Sequence, residues 1–346
     1  MKKDMKKKLL FTPIDQFSHG GGSTFLSTLL PHLDCNTTWD IADEWDVALM
    51  MGAETPLDII DSIVTERKSK GAKILYRLDG IKHTRMPEGI ERMQAMFEIA
   101  DTVIYQSKFV KAEAESLWGE HENSRIIYNG VDLEKFKPRK PNDYYSRPHS
   151  FLYCEFSHKL HKRAQEAFGL MQKIIKKYPN TKLTIIGKFP QDWINQKFGL
   201  PQENVKFLGR LSHNTMPHIL NSHKILLFPS VDEPCSNLIL EAMASKVLIV
   251  HKDSGCMTEL CGDTQIDWDW YLSCFNPTHI PSPEYINKLK NEFDEETKKA
   301  YIEGKFTPHD YHAGRLRVHK YFSNHEMVKK YMEALGDGIS GHIEEG

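Results

Sequence analysis

The chain has 346 residues, with 45 Lys and Arg against 47 Asp and Glu, and a formal net charge of −2. Hydrophobic residues make up 40% of it, enough for the cores of one large or two ordinary domains. The balanced charge argues against a nucleic-acid-binding protein, and no apolar run reaches the length that spans a membrane.

The strand and helix patterns alternate through the first half, which predicts a parallel sheet covered by helices on both faces. The predicted strands are 9–14, 46–51, 73–78, 102–105 and 125–128, and the predicted helices are 24–30, 57–69, 87–100 and 108–118. The pattern closes near Asn129–Asp132, and the polar, Pro-containing stretch 137–148 is typical of a linker.

The second half repeats the alternation and predicts a second α/β domain. The predicted strands are 151–156, 182–186, 205–208, 225–228 and 246–251, and the predicted helices are 162–177, 214–221, a short one from Ser236 or Asn237, a broken one over 283–303, and 324–335. After Asp263 the sequence no longer shows a regular alternation of strand and helix patterns. The predicted domains are therefore 1–146, 147–320, and a C-terminal segment 321–346 whose helix crosses back to the first domain.

The Lys-rich segment 2–8 precedes only a short apolar run, so it is not a convincing signal peptide. The six cysteines show no C-x-x-C pairing, and thiols in a reducing compartment are the simplest interpretation. We therefore expect a cytoplasmic protein with no transmembrane segment and at most weak peripheral contact with a membrane. The seventeen histidines show no H-E-x-x-H or similar spacing, so no metal ligand is predicted.

The most informative stretch runs from Ile225 to His251, where two apolar strands flank a short helix. In open sheets of such units, ligands bind where strands end and helices begin. Glu233 lies on the loop and Glu241 lies about one turn inside the helix. The amides of Ser236, Asn237 and Leu238 are free donors at a positive helix end, which suits a phosphate. Alternatively, Asn237 is only a helix cap and Glu241 a solvated residue.

The same stretch resembles the E-x7-E motif of retaining glycosyltransferases of family 4. Glu233 and Glu241 are separated by seven residues and are followed by Pro234 and Ala242. The sequence Phe-Pro-Ser precedes the motif, and Ala-Met-Ala follows it. The resemblance implies a GT-B fold: two Rossmann-like α/β domains that face each other across a deep cleft. It also implies that Glu233 lies at the donor sugar, Glu241 binds the nucleotide ribose, and the amides of residues 236–238 hold the sugar and diphosphate.

Two segments of the predicted first domain resemble segments found in enzymes of that family. The run His19–Ser23 contains Gly21 and Gly22, which resemble the glycine loop against the diphosphate and acceptor; alone, the run is equally a tight turn. Asp79 ends the third strand, on what the resemblance implies is the acceptor side. Arg77 and Leu78 stand where the family often has a His, and an Arg77–Asp79 surface pair is the alternative.

The segment 157–163 resembles the family's cationic site for the leaving diphosphate. Lys162 matches the family's Lys, whereas Ser157 stands at the Arg position, so Lys159, Arg163 or His158 would supply the missing charge. The alternative is that the charged residues of this segment are an ordinary solvent-exposed cluster. Gly187, Arg210 and Leu211 resemble the pocket for the nucleotide base. Ser254–Glu259 resembles a glycine-rich turn that ends in Glu, or is an ordinary turn before a helix.

The resemblance implies transfer of a sugar, with retained anomeric configuration, from a nucleotide-diphosphate sugar to a hydroxyl. Lys162, Glu233 and Asp79 are the expected catalytic residues. Electrostatic stabilisation of the diphosphate would need no metal or other cofactor. The donor would be UDP- or GDP-linked, and the acceptor a carbohydrate, a lipid-linked molecule or a glycoprotein, with no nucleic acid involved. The alternatives are a GT-B nucleotide-sugar epimerase or phosphorylase, and a non-catalytic nucleotide-sugar binding module.

Overall fold

The computed structural model describes two compact units. The first comprises Met1–Gly130, Pro234–Asn237 and Phe322–Gly346, and the second comprises Val131–Glu233 and Leu238–Tyr321. The residues that the structure describes are 8–11, 21–52, 55–81, 87–139, 147–148, 150–155, 160–188, 194, 197–262, 266–267, 312–336 and 340–341.

The first unit is built on a six-stranded parallel sheet. Its strands are β1 (Lys8–Phe11), β3 (Asn36–Thr38), β4 (Val47–Met51), β5 (Lys73–Leu78), β6 (Thr102–Tyr105) and β7 (Ser124–Ile126), in the order β3-β1-β4-β5-β6-β7. A separate antiparallel pair joins β2 (Leu33–Asp34) to Ser340–Gly341. β4 and β6 are buried along their whole length, and β5 is buried after Lys73, as expected of parallel strands covered by helices on both faces.

The helices of this unit are α1 (Gly21–Leu29), α2 (Leu57–Lys70), α3 (Pro87–Ile99), α4 (Lys108–Trp118) and the late helix Asn324–Leu335. Ser107 starts α4 by accepting a hydrogen bond from the amide of Val110, the contact that a serine N-cap makes. Ser323 caps Asn324–Leu335 in the same way, through the amide of Glu326. That helix buries Met327, Val328, Tyr331 and Leu335 in a core with residues of β1, β4 and α1.

The second unit is built on another six-stranded parallel sheet. Its strands are β8 (Ser150–Cys154), β9 (Lys182–Ile186), β10 (Val205–Gly209), β11 (Ile225–Phe228), β12 (Leu248–His251) and β13 (Ile266–Asp267), in the order β10-β9-β8-β11-β12-β13. The main helices after β8 are α5 (Ala164–Lys177), α6 (Met216–Leu220), α7 (Asn237–Ala244), α8 (Met257–Cys261) and α9 (His312–Tyr321). The inner face of α5 packs on the sheet through six buried apolar residues.

Most predicted elements are confirmed, and several of their ends are shifted by one to three residues; for example, the strand predicted over 246–251 is Leu248–His251, and the helix predicted over 24–30 is Gly21–Leu29. The predicted helix from Lys162 begins at Ala164 instead, because Arg163 has a left-handed backbone (φ +49°) and Leu160–Lys162 forms a 3-10 turn. The helix predicted over 214–221 is a 3-10 turn (His213–Thr215) followed by α6. The strand predicted over 125–128 is Ser124–Ile126. The helix predicted over 283–303 lies outside the described residues.

Candidate functional site

In the second sheet, the strands that follow β8 in the chain are added on one side of it (β9, β10), and those from β11 onward are added on the other side (β11, β12, β13). The direction of strand addition therefore reverses between β8 and β11. This order of strands corresponds to the doubly wound arrangement in which ligands bind at the carboxyl ends of the two strands that flank the reversal. The chain that leaves β8 reaches Lys162, and the chain that leaves β11 reaches Glu233. The topology therefore brings a cation and a carboxylate to the place where this fold binds ligands.

The side chains of Lys162 and Glu233 meet at that place. The ammonium Nζ of Lys162 donates to Oε1 of Glu233 at 2.7 Å, and Nε2 of His161 lies 3.8 Å from the same oxygen. The Glu233 side chain is only 11% exposed and that of Lys162 is 24% exposed. Because little water reaches the carboxylate, the interaction between these charges is stronger than it would be on an open surface.

The backbone around Glu233 is fixed by a turn from another part of the sequence. Cys256 donates its amide to the Glu233 carbonyl at 2.9 Å, and the Asp232 amide donates to Ser254 Oγ at 3.0 Å. A Cβ on Gly255 would lie 2.5 Å from the Glu233 nitrogen and 2.6 Å from its carbonyl oxygen, so only glycine fits. Residues 254–256 of the predicted glycine-rich turn thus hold the loop that carries Glu233.

Two residues next to the Lys162–Glu233 pair have left-handed backbones without being glycine. Arg163 follows Lys162 with φ +49°, and Asp232 precedes Glu233 with φ +56°. The Val231 amide also donates to the His161 carbonyl at 2.9 Å, which ties the two loops together. Strained backbone of this kind is stable only where the surroundings hold it, and it is enriched at functional sites.

Glu241 lies in the first turns of α7 and is buried, with a side chain 7% exposed. Burial raises the pKa of this carboxyl, and the hydrogen bond from His213 opposes that effect only in part. Nε2 of His213 lies 2.7 Å from Oε1 of Glu241, and the His213 ring packs against Phe136. The interpretation of Glu241 as a solvated helix residue is therefore wrong.

Cys154, the last residue of β8, has a buried thiol whose pKa is affected by these charged groups. Burial raises the pKa of its thiol to about 12; the charges of Glu241 and Glu155 act in the same direction, and the charge of Lys162 opposes them. Glu241 and Lys162 therefore both lie within electrostatic range of the end of β8. The sequence pattern did not identify His213 as a site residue, because it does not lie in a recognisable motif.

The other predicted site residues of the second unit lie at neighbouring strand ends or loops. The Gly187 amide, just after β9, donates to the carbonyl of Gly209 at 2.9 Å. Arg210 is exposed and Leu211 is half-buried immediately after β10. Arg163 is exposed and donates to Glu166 at 2.7 Å. Ser157, His158 and Lys159 lie outside the described residues.

In the first unit, Asp79 follows β5 and belongs to a polar network. Its Oδ1 accepts hydrogen bonds from the Arg77 guanidinium and, at 2.6 Å, from Nε2 of Gln106. Arg77 is 1% exposed, so the interpretation of Arg77–Asp79 as a surface pair is wrong. Arg77 also donates to Oδ1 of Asn129 at 2.8 Å.

Asn129 continues this network to the short segment Pro234–Asn237. Its side-chain amide donates to the Cys235 carbonyl at 3.0 Å and to Oδ1 of Asn237 at 2.8 Å. Ser236 and Asn237 are half-buried, and α7 begins at Asn237 and continues through Leu238. Asn237 is therefore bound through its side chain to Asn129, which the sequence pattern did not predict.

The glycines predicted at a phosphate, Gly21 and Gly22, form the start of α1. His19 and Gly20, which precede them, lie outside the described residues. Within the described ranges, no three His, Cys, Asp or Glu side chains come together as a metal site would require. None of the helices in these described ranges is long and apolar enough to cross a membrane.

Residues 153–270 match the model of the family described as "Glycosyl transferases group 1". A curated relative from Corynebacterium glutamicum, named a GDP-mannose-dependent monoacylated alpha-(1-6)-phosphatidylinositol monomannoside mannosyltransferase, is 22% identical over 222 residues, covering 59% of this chain and 58% of the relative. A glycogen synthase from Mycobacterium tuberculosis is 26% identical over 184 residues, covering 51% of this chain and 42% of the synthase. The chain thus spans about half the length of the curated relatives that it matches.

Solved structures match nearly the whole chain. Sucrose-phosphate synthase from Thermosynechococcus elongatus superposes with a TM-score of 0.68 at 13% identity, covering 95% of this chain and 98% of that one. Anabaena HepE in complex with UDP-glucose also gives 0.68, at 14% identity, covering 95% and 99%. At such identities the likeness shows the fold, which is GT-B. Together with the family match, these findings support a GT-B glycosyltransferase as the class of protein.

Proposed function

We propose that this protein is a retaining glycosyltransferase that moves a sugar from a nucleotide-diphosphate sugar to a hydroxyl acceptor, without a metal ion. The observation that carries the proposal is the Lys162–Glu233 contact of 2.7 Å at the strand ends where the second sheet reverses. The match of residues 153–270 to group 1 glycosyltransferases supports it independently.

In this proposal the second unit binds the donor. Lys162 stabilises the negative charge that develops on the departing diphosphate, a role that a positioned ammonium fulfils without a metal. Glu233 lies at the donor sugar. Because Glu233 accepts from Lys162, the same ammonium would hold the carboxylate in place and neutralise the diphosphate beside it.

Glu241 is proposed to bind the ribose of the nucleotide, with His213 as the residue that orients its carboxylate. Gly187, Arg210 and Leu211 would lie at the base, and Arg163 and Lys159 would add positive charge for the diphosphate. The glycines Gly21 and Gly22 and the segment 236–238 would supply backbone amides to the diphosphate and sugar.

The acceptor is proposed to bind to the first unit, with Asp79 as the residue that contacts its hydroxyl. The name of the Corynebacterium glutamicum relative contains phosphatidylinositol monomannoside, which supports a lipid-linked acceptor. A carbohydrate and a glycoprotein are the other proposed classes of acceptor. A cytoplasmic location is proposed, because the cysteines show no C-x-x-C pairing and the Lys-rich segment 2–8 is not a convincing signal peptide. The donor is proposed to be UDP- or GDP-linked.

A thermal-shift screen of UDP-, GDP- and ADP-sugars tests the donor assignment. A ligand at 100 times its Kd stabilises the folded state by about 2.7 kcal/mol, so a true donor should raise the melting temperature and the others should not. Transfer to an acceptor panel would then be followed by NMR of the product's anomeric proton, with and without EDTA. An inverted product would refute retention, and loss of transfer with EDTA would refute metal independence.

A further inference from the structure

Three side chains of the first unit form a row of hydrogen bonds that ends at the start of α7. Arg77 donates from its guanidinium to Oδ1 of Asn129 at 2.8 Å. Asn129 donates from Nδ2 to Oδ1 of Asn237 at 2.8 Å and to the Cys235 carbonyl at 3.0 Å. The row thus connects the buried guanidinium of Arg77, on β5, with the loop between Glu233 and Glu241.

The direction of every hydrogen bond in this row is fixed by chemistry. A guanidinium only donates, so the oxygen of the Asn129 amide must face Arg77. A backbone carbonyl only accepts, so the nitrogen of that amide must face Cys235. Oδ1 of Asn237 is then the acceptor for Asn129, which leaves Nδ2 of Asn237 as the free end of its side chain.

Burial keeps this direction from reversing. Arg77 is 1% exposed and its guanidinium lies over the Phe25 ring at 3.9 Å, so it has no room to turn away from Asn129. Asn129 is 5% exposed, and rotating its amide would place its oxygen against the Cys235 carbonyl. An unpaired polar group in such surroundings costs more than the net gain of an ordinary hydrogen bond.

Asn237 is only half-buried, and within the described part of the chain its Nδ2 has no hydrogen-bond partner. We infer that Arg77 and Asn129 are positioning residues that orient the Asn237 amide so that its Nδ2 donates to an oxygen of the bound donor, either of the diphosphate or of the sugar. This inference rests on the proposed function, because it concerns the same ligand.

The test is a double-mutant cycle with Asn129→Ala and Asn237→Ala, in which binding of UDP, GDP, UDP-glucose and GDP-mannose is measured by titration calorimetry. Each single substitution is expected to weaken binding of the nucleotide sugar that the wild type prefers by about 3- to 10-fold, the effect of one lost hydrogen bond. The double variant should bind no more weakly than the weaker single variant, because both changes remove the same contact. Additive effects, or an unchanged affinity in Asn129→Ala, would overturn the inference.

A second variant protects this test against loss of folding. Asn129→Asp keeps an acceptor for Arg77 but cannot donate when it is ionised, so at pH 8 it should fold and still weaken binding at least as much as Asn129→Ala. The matched control is Asn123→Ala, because Asn123 also donates twice from its side chain, to the Asp101 carbonyl at 2.8 Å and to Thr102 Oγ1 at 2.7 Å. The control should bind nucleotide like the wild type; equal weakening in the control would overturn the inference.

The alkylation rate of Cys235 separates failure of this inference from failure of the proposed function. Cys235 is buried, and its carbonyl accepts from Asn129. Its modification by iodoacetamide, followed by mass spectrometry, should accelerate several-fold in Asn129→Ala and Asn129→Asp, while Cys261 stays protected. If the wild type binds neither UDP nor GDP, the proposed function and the ligand part of the inference both fail, and the Cys235 rate still decides the positioning part. If the wild type binds and the Cys235 rate is unchanged, the positioning part fails alone.

Discussion

Lys162 and Glu233 are 71 positions apart in the sequence, yet the ammonium of one lies 2.7 Å from the carboxylate of the other. Their loops leave adjacent parallel strands, β8 and β11, on the two sides of the point where the sheet reverses. The contact joins the cation proposed for the diphosphate with the carboxylate proposed for the sugar, and it is the first relationship to test.

We expect Lys162→Met to lower kcat for sugar transfer by a factor of about 10² to 10³. Methionine keeps much of the apolar stem but removes the charge that stabilises the departing diphosphate. Steady-state kinetics would measure the effect. Lys176→Met, an exposed position on α5, should leave kcat unchanged. A kcat of Lys162→Met within threefold of the wild type would contradict the role.

Gly255→Ala should lower both stability and transfer activity. The new methyl group would lie 2.5 Å from the Glu233 nitrogen and would displace the loop, in addition to the cost of φ +64° for an alanine. Gly71→Ala is a matched control, since Gly71 has φ +63° and nothing lies within 4 Å of the added Cβ.

Both glycine variants should therefore lose about 0.5–1 kcal/mol from the backbone conformation, because the greater freedom of glycine in the unfolded chain offsets part of the strain at positive φ. Urea unfolding is expected to show a larger loss for Gly255→Ala, and only this variant should lose activity. Equal stability losses, with activity retained in both variants, would show that the Gly255 contact does not hold Glu233 in place.

Glu241→Gln should change how stability depends on pH. Burial raises the Glu241 pKa above its value of 4.5 in the unfolded chain, so the folded state holds the proton more tightly. The wild type therefore loses stability as pH rises from the unfolded-state pKa through the folded-state pKa. Glutamine is neutral, so the variant should gain stability relative to the wild type across this window.

The measurement is urea unfolding of both proteins at several pH values from about 4.5 upward, with UDP and GDP affinity measured at neutral pH. Nucleotide binding should weaken about 10-fold in Glu241→Gln if the carboxylate binds the ribose, as expected for a charged hydrogen bond that becomes neutral. A constant stability difference would contradict the raised pKa. Unchanged affinity would contradict the ribose role.

Arg163→Gly should be more stable than Arg163→Ala by about 0.5–1 kcal/mol. Both variants lose the exposed pair with Glu166, and they differ only in the Cβ that is strained at φ +49°. The left-handed conformation costs an L-residue about 1–2 kcal/mol, and the greater freedom of glycine in the unfolded chain offsets part of this. Chemical unfolding of the two variants would show the difference, and greater stability of the alanine variant would contradict it.

Local periodicity predicted most of the strands and helices. The buried strands of both sheets are short apolar runs bounded by polar residues, and helices such as Lys108–Trp118 follow a good N-cap. These signals involve residues a few positions apart, so they can be recognised in the sequence without knowledge of the fold. The order of the strands, and hence the reversal between β8 and β11, depends on pairing between distant segments.

The candidate site was predicted only in part. Glu233, Glu241 and Lys162 stand out because their spacing resembles a known motif, although their roles remain proposals. His213 and Asn129 were not found, because their partners are remote: His213 lies 28 positions from Glu241, and Asn129 lies 108 positions from Asn237.

By itself, the sequence determined the α/β alternation and the chemical types of residue that the strand ends would present, because hydrophobic pattern and capping act over a few residues. Only the tertiary structure decided which of those residues meet. The burial of Arg77, the raised pKa of Glu241 and the fixed backbone beside Gly255 all arise from contacts between segments that chain folding, rather than chain order, brings together.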